Sequence, residues 1–311
     1  MSFTSIPILD LSLARNPETK PDFLKELRHA LMEVGFLYLK NVGISDELFQ
    51  RVVRLGKAFL IFPRKKTPAS GPGLPVHHNL LAPNQWPSEA AIPGFRESFT
   101  DYMDRMGKIS IEFTSLIAEA IELPAGAFDK YFDADQQHKL KIVKYPDLKD
   151  LGLEGEGQGV GPHKDSMLSS YLLQATQHRG LQVQNVEGRW IDCPPIDGTL
   201  VVAIGQGLRR SRAAASASAR FRIMCVGSEL LSLRSRGSVR RCGVHVPVGR
   251  GGQDAGEATL RNRVKSHPDV AERWYPDLLQ DVMAEQARIK SARKEVHKAV
   301  AAPAPAAVVT H

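Results

Sequence analysis

The chain has 311 residues, 42% of them hydrophobic and 24% charged, with a formal net charge of +7. That length is enough for one large core or two small ones. No apolar run approaches the roughly 20 residues needed to span a bilayer. The start, MSFTSIPILD, lacks the basic-then-apolar pattern of a secretory signal. Three scattered cysteines, Cys193, Cys225 and Cys242, do not form a disulfide framework, so a reducing, cytoplasmic setting is expected.

The N-terminal half reads as helical support. In KPDFLKELRHALMEV, Phe23, Leu27 and Leu31 share one helical face, with Leu24 and Val34 beside it. Phe36 to Leu39 follow as a strand. Ser45 is placed to cap a second amphipathic helix that buries Leu48, Val52, Leu55 and Phe59. A third helix, about Phe99 to Ile121, carries Tyr102, Met106, Ile109, Phe113, Leu116 and Ala120. These stripes read as core, not as cofactor contacts. The loop between the second and third helices, PRKKTPASGPGLPVHHN, is rich in Pro and Gly.

The middle of the chain changes to short strands. Ser170 to Thr176 is apolar, Gly180 to Gln184 alternates, and GRWID follows a Glu187-Gly188 turn. Thr199 to Ile204 is bounded by Asp197-Gly198 and Gly205. Strands of this length and punctuation suggest an antiparallel sandwich or jelly roll. Just before them stands His163-Lys164-Asp165. On a strand, residues i and i+2 face the same way, so His163 and Asp165 are expected to aim an imidazole and a carboxylate at one point. Those are two of the three ligands of a 2-His-1-carboxylate iron site. Lys164 should face away, as a structural or rim residue. The preceding GEGQGVG lacks the Lys-Ser/Thr of a phosphate loop and reads as a flexible lid. No zinc spacing of Cys and His and no nucleophile elbow occurs.

The order GPHKD, YLLQ, GLQVQ, GRWIDCPPIDGTLVVAIGQ resembles the isopenicillin N synthase-like branch of the Fe(II)/2-oxoglutarate-dependent dioxygenase superfamily. So do IPILDLS, LRHALMEVGFLYLKNVGI, APNQWPSEAAIPGFRE and KSHPDVAERWYPDL. The likeness covers most of residues 5 to 207 and roughly 256 to 280. It implies an α+β, mostly β fold: a double-stranded β-helix (jelly-roll) core with an N-terminal helical layer. On that plan residues 1–125 are the N-terminal region, 126–265 the jelly roll, 266–300 a C-terminal helix and 301–311 a disordered tail. The final helix should carry Leu279, Val282, Met283 and Ala287 on one side and charge on the other, either covering the barrel mouth or floating free. The resemblance further implies Fe(II), 2-oxoglutarate and ascorbate as reductant, with a small-molecule substrate and O2 as partners and neither nucleic acid nor membrane. The expected reaction is hydroxylation or desaturation in secondary metabolism. Tyr145 matches a position from which relatives hydrogen-bond 2-oxoglutarate; a strand tyrosine packed on the core is the alternative.

Family pattern and sequence part company after Gly207. Residues 208–252 hold ten of the 24 Arg, none of the 17 Lys and a single acidic residue, Glu229, so the excess positive charge belongs to this segment. A nucleic-acid patch and a solvated insertion are two readings. The favoured third is out-of-frame or intronic coding sequence, because GC-rich DNA in a wrong frame yields Arg, Ala, Ser and Gly without Lys. The last jelly-roll strands are then expected to be disrupted. In the resembled family a second His ligand and a following R-x-S, whose Arg pairs with 2-oxoglutarate, fall in this part of the chain. The text where that His is expected reads AAASASAR. His178 is too close to Asp165, and His267 belongs to the C-terminal motif. His245 remains as a candidate third metal ligand, with a solvent-exposed loop histidine as the favoured alternative, because both R-x-S tripeptides, at Arg209 and Arg236, precede it. Activity of the chain as written is therefore expected to be compromised. An oxidase that does not use 2-oxoglutarate and a non-catalytic, degenerate jelly roll are the alternatives.

Overall fold

The computed structural model describes residues 3–61, 84–131, 137–147, 149, 152, 157–165, 168–206, 208, 220–224, 229–236, 261, 264–265 and 268–300. They fall into two units, one over residues 1–74 and 83–248, the other over 75–82 and 249–311.

The first unit opens with β1 (Ile8–Asp10) and a 3-10 turn whose start Asp10 caps by accepting from the Ser12 amide. Helix α1 (Lys20–His29) runs into a π-turn, Ala30–Val34. Phe23, Leu27, Leu31 and Val34 are buried as the periodicity predicts. Gly35, at φ +73°, ends the turn; its amide bonds back to the Ala30 carbonyl at 2.7 Å in a left-handed conformation that costs glycine little. Strand β2 (Phe36–Lys40) follows, then α2 (Asp46–Ile61), where Ser45 Oγ accepts from the Leu48 amide. Helix α3 (Phe95–Ala120) begins four residues before the predicted start. The ring of Phe95 stacks on Phe99 at 4.3 Å between centroids and meets Phe59 of α2 at 5.0 Å, which extends the apolar face upstream.

Eight further strands complete two sheets: β3 (Gln137–Lys144), β4 (Gln158–His163), β5 (Ser169–Gln174), β6 (Leu181–Gln184), β7 (Trp190–Asp192), β8 (Thr199–Ile204), β9 (Arg220–Met224) and β10 (Glu229–Arg236). One sheet has the order β1-β2-β8-β5-β10-β3, the other β4-β9-β6-β7. All pairings are antiparallel except β1 with β2. The six-stranded sheet is covered on both faces. Leu37, Leu39, Tyr171, Leu173, Leu200 and Val202 pack under the helices. Phe36, Tyr38, Leu172, Val201 and Ala203 point the other way, onto Leu181 and Val183 of the second sheet. Every residue of β8 is buried, and each of its Leu, Val and Ile side chains contributes about 1.5–3 kcal/mol.

Two expectations are corrected here. The Arg-rich segment does not break the sheets in its described parts, because it supplies β9 and β10. β9 lies between β4 and β6, and β10 between β5 and β3. Ladder hydrogen bonds use main-chain groups that every non-proline residue carries, so an odd composition does not prevent pairing. The lid reading of GEGQGVG also fails in its second half, since Gln158–His163 is strand β4.

The second unit contains α4 (Pro268–Trp274) and α5 (Pro276–Val300) around Val264, Ala271 and Val282, with Tyr275, Leu278 and Leu279 against them. The inner face of α5 differs from the prediction. Leu279 and Val282 turn inward, but Met283 is 52% exposed and Ala287 is exposed. The contact stripe runs through 275, 278, 279 and 282, one position earlier than expected. Among the described residues no helix is long and apolar enough to cross a membrane.

Candidate metal centre

Strand β4 reaches the site through two β-bulges. Gln158 and Val160 face Met224 and Ile223 of β9, and Val160 and His163 face Ile223 and Phe221. Each step places one extra residue on β4, as bulges do. The second bulge has a consequence for aim. His163 lies three residues after Val160, which in a regular strand would put it on the opposite face. With the extra residue it returns to the face of Val160, which packs into the core between the sheets.

His163 is the last residue of β4, and Asp165 lies beyond the strand end. The two side chains nevertheless converge, with Nε2 of His163 3.8 Å from Oδ1 of Asp165. The H-x-D spacing thus predicts the right neighbours by an incomplete route, because strand alternation alone does not bring them together. Three contacts beyond the H-x-D motif hold the pair. Asp165 is 4% exposed, and its Oδ2 accepts a 2.5 Å hydrogen bond from Ser170 Oγ. Its carbonyl accepts from the Gln206 amide at 2.8 Å, and the Gly205 amide donates to Leu168 at 2.9 Å. These bonds tie the turn to the end of β8.

Nδ1 of His163 lies 2.9 Å from the Gly161 carbonyl. A carbonyl only accepts, so in the neutral ring the proton sits on Nδ1 and Nε2 carries the lone pair. That is how a metal-binding imidazole is usually oriented by its second nitrogen. Adjacent donors on one first-row ion, each bonded at about 2.1 Å, stand about 3.0 Å apart in an octahedral site and about 3.4 Å in a tetrahedral one, so the observed 3.8 Å lies within about 1 Å of a shared ion, a closure that side-chain rotation supplies. The pair thus fits half of a facial-triad site. Among the described residues no group of three metal-binding side chains is found.

The other candidates are placed as follows. Tyr145 follows β3 and packs against the inter-sheet core, and a Cβ added to Gly159 would lie 2.2 Å from its Cδ1. Gly159 is therefore the residue that lets the tyrosine ring lie against β4. Lys164 is half-buried, and His178 is exposed between β5 and β6. His245, His267 and the first R-x-S lie outside the described residues. Of the second R-x-S only the backbone of Arg236 is described, at the end of β10. Sequence reasoning missed Ser170, Gly159 and Gln206. Ser170 had a readable signal, as a hydroxyl residue inside the otherwise apolar run SYLLQ.

A mixed α/β unit whose two facing sheets bring a His and a carboxylate together is the architecture of the jelly-roll oxygenases, and the comparisons agree. The model for the 2OG-Fe(II) oxygenase superfamily matches residues 136–223, and that for the non-haem dioxygenase in morphine synthesis N-terminal region matches residues 6–67. The chain is 51% identical to the 2-oxoglutarate-dependent dioxygenase frbJ of Dothideomycetidae sp., across 93% of this chain and 97% of that one. It is 31% identical to a 2-oxoglutarate-dependent dioxygenase of Gibberella zeae, across 93% and 96%. A full-length Neurospora crassa protein, solved in complex with alpha-KG and thymine, superposes with a TM-score of 0.68 at 21% identity, across 84% of this chain and 97% of that one. The chain belongs to the 2OG-Fe(II) oxygenase superfamily and is a 2-oxoglutarate-dependent dioxygenase by homology. Membership implies Fe(II), 2-oxoglutarate, O2 and a small-molecule substrate. Both alignments, over 360 and 365 positions, are longer than the 311 residues of this chain, so the two relatives carry segments that it lacks.

Proposed function

We propose that the chain is built to oxidise a small molecule of secondary metabolism, by hydroxylation or desaturation, with His163 and Asp165 as two of its iron ligands and ascorbate as reductant. The observation that carries this reading is the 3.8 Å approach of His163 Nε2 to a buried Asp165 carboxylate. Iron with 2-oxoglutarate and O2 supplies the oxidising power for an unactivated C–H bond. The chain's own residues hold and orient. Gly161 sets the imidazole tautomer, Ser170 and Gln206 hold the Asp165 turn, and the apolar wall of Phe36, Leu172 and Val201 keeps water from the inner face. Tyr145 is assigned to the 2-oxoglutarate side of the pocket, and its packing on Gly159 would fix the ring there.

The second half of the site is where this chain is compromised. β9 supplies Arg, Phe, Arg, Ile and Met, and β10 carries Glu229 as its one acidic residue and no His. Neither strand offers the imidazole that a facial triad needs. A buried distal carboxylate of 2-oxoglutarate also needs a charged partner, since burying a charge unpaired is costly. His245 is the remaining third-ligand candidate in the Arg-rich segment.

The test is succinate release with Fe(II), 2-oxoglutarate and ascorbate, run on this chain and on a version whose residues 208–252 are replaced by the corresponding part of frbJ. Losing even an outer-shell partner costs about 10–100-fold, so restoring a ligand is expected to raise turnover by at least about 100-fold. Robust succinate release by the unmodified chain would refute the compromised reading and make His245 the first residue to mutate. Substrate oxidation without matching succinate would favour an oxidase that does not use 2-oxoglutarate.

A further inference from the structure

We infer that Ser170 is the positioning residue of the metal centre, setting which oxygen of Asp165 faces the imidazole; this rests on reading His163 and Asp165 as metal ligands. Two serines open β5, and alternation sends them to opposite faces. Ser169 shares a face with Tyr171 and Leu173, under the helices, and its Oγ lies 3.5 Å from the Tyr171 hydroxyl. Ser170 shares a face with Leu172, which packs into the core between the sheets. It is 0% exposed, and its hydroxyl donates to Oδ2 of Asp165.

A carboxylate on a short side chain has two nearly equivalent oxygens and turns easily about its last bond. The Ser170 hydroxyl takes up one of them, and the other is then the oxygen found 3.8 Å from His163 Nε2. Without that donor the carboxylate would lose its orientation and one partner in a place closed to water. Backbone pairing of residue 170 with Ala203 of β8 and Arg234 of β10 locks the serine itself, so the hydroxyl is delivered from the middle of a sheet. An apolar residue would suit the run SYLLQ better for packing alone. The serine is accounted for by the carboxylate it meets.

The experiment is Mn(II) binding by the full chain, followed by EPR, for the wild type and for Asp165→Ala, Ser170→Ala, Ser170→Thr, Ser170→Cys and Ser169→Ala, each checked for folding by circular dichroism. Ser170→Ala is expected to weaken Mn(II) binding by about 10–100-fold, the usual effect of losing an outer-shell partner. It should also change the line shape, because the released carboxylate is able to bind through both oxygens. Ser170→Thr, which keeps the hydroxyl, should retain the wild-type affinity and line shape, and Ser169→Ala should change neither. If Ser170→Ala does not fold, Ser170→Cys, of similar size and a weak donor, is read in its place with the same direction. Wild-type affinity and line shape in the folded alanine or cysteine variant would overturn the inference. Wild-type binding no tighter than that of Asp165→Ala would instead overturn the metal reading on which it rests.

Discussion

Strands β8 and β10 both flank β5, yet they differ in kind. β8 reads Thr-Leu-Val-Val-Ala-Ile, is buried at every position and serves two cores at once. β10 comes from the Arg-rich segment, and its register runs unbroken from Glu229 to Arg236 against β3 and from Leu230 to Arg234 against β5. The contrast shows what a sheet demands and what a site demands. Pairing needs amides and carbonyls, which almost any residue brings. A metal ligand needs one side chain at one position. β4, β5 and the end of β8 bring His163, Asp165 and Ser170 together, while β9 and β10, paired as they are, carry no histidine.

The largest expected effect tests whether these two neighbours of β5 contribute alike to stability. Leu200→Ala on β8 should cost about 2–5 kcal/mol, read as a fall in the urea midpoint. Ser232→Pro on β10 removes an amide from a residue paired with Lys141 on one side and Leu172 on the other. It should cost about 1–3 kcal/mol for the bond it orphans. An unchanged midpoint for Ser232→Pro would remove β10 from the sheet and restore the disrupted-strand expectation.

Gly159→Ala sharpens the view of β4. The new methyl meets the Tyr145 ring at 2.2 Å, so ring or strand must move, at about 1–3 kcal/mol. Because the bulge beside it aims His163, Mn(II) affinity should fall as well. A loss of stability with no change in affinity would separate the tyrosine packing from the metal half-site.

Cys193 probes the joint between the sheets, where Tyr38 donates to the neighbouring Pro194 carbonyl at 2.5 Å. Burial pushes the Cys193 thiol up to about 12, from an ordinary value near 8.5. The folded state therefore holds this proton more tightly than the unfolded one. Its contribution to stability is whole below about pH 8.5 and is lost as pH rises toward 12. Peptide mapping after iodoacetamide at pH 8 should find Cys193 unlabelled in the folded chain and labelled in urea. Equal labelling in both would show that the sheets do not close over it.

The smallest effect lies far from the site. Arg15 grips Glu112 of α3 through both carboxylate oxygens, at 2.8 and 2.9 Å, in an exposed pair. Arg15→Lys breaks the bidentate geometry and should cost less than about 1 kcal/mol, with the difference shrinking in high salt. Metal binding should be untouched.

The local patterns were legible in the amphipathic helices of the first unit and in the short strands bounded by turn residues. The stripes of α1, α2 and α3 and strands β2, β5, β6, β7 and β8 all follow from period and punctuation. The α5 face was shifted because two adjoining stripes of similar apolarity, 278–279–282 and 279–283–287, compete in the same helix, and packing chose the first. The 208–252 segment was misjudged in part because composition reports on side chains, and strand pairing depends on the backbone.

What the sequence determined by itself is the family, the order of the strands from β5 to β8 and the identity of the two residues that meet. Those follow from motifs and short-range alternation, which are properties of neighbouring residues. Only the tertiary structure decided how they meet. The bulge between Val160 and His163 returns His163 to the inner face, Ser170 of β5 and Gln206 beyond the end of β8 hold Asp165, and β9 and β10 enter the two sheets from a segment with no strand-like composition. The bulge against β9, the Gln206 bond and the entry of β10 beside β5 all bring together groups distant in the chain, and no local pattern encodes that distance.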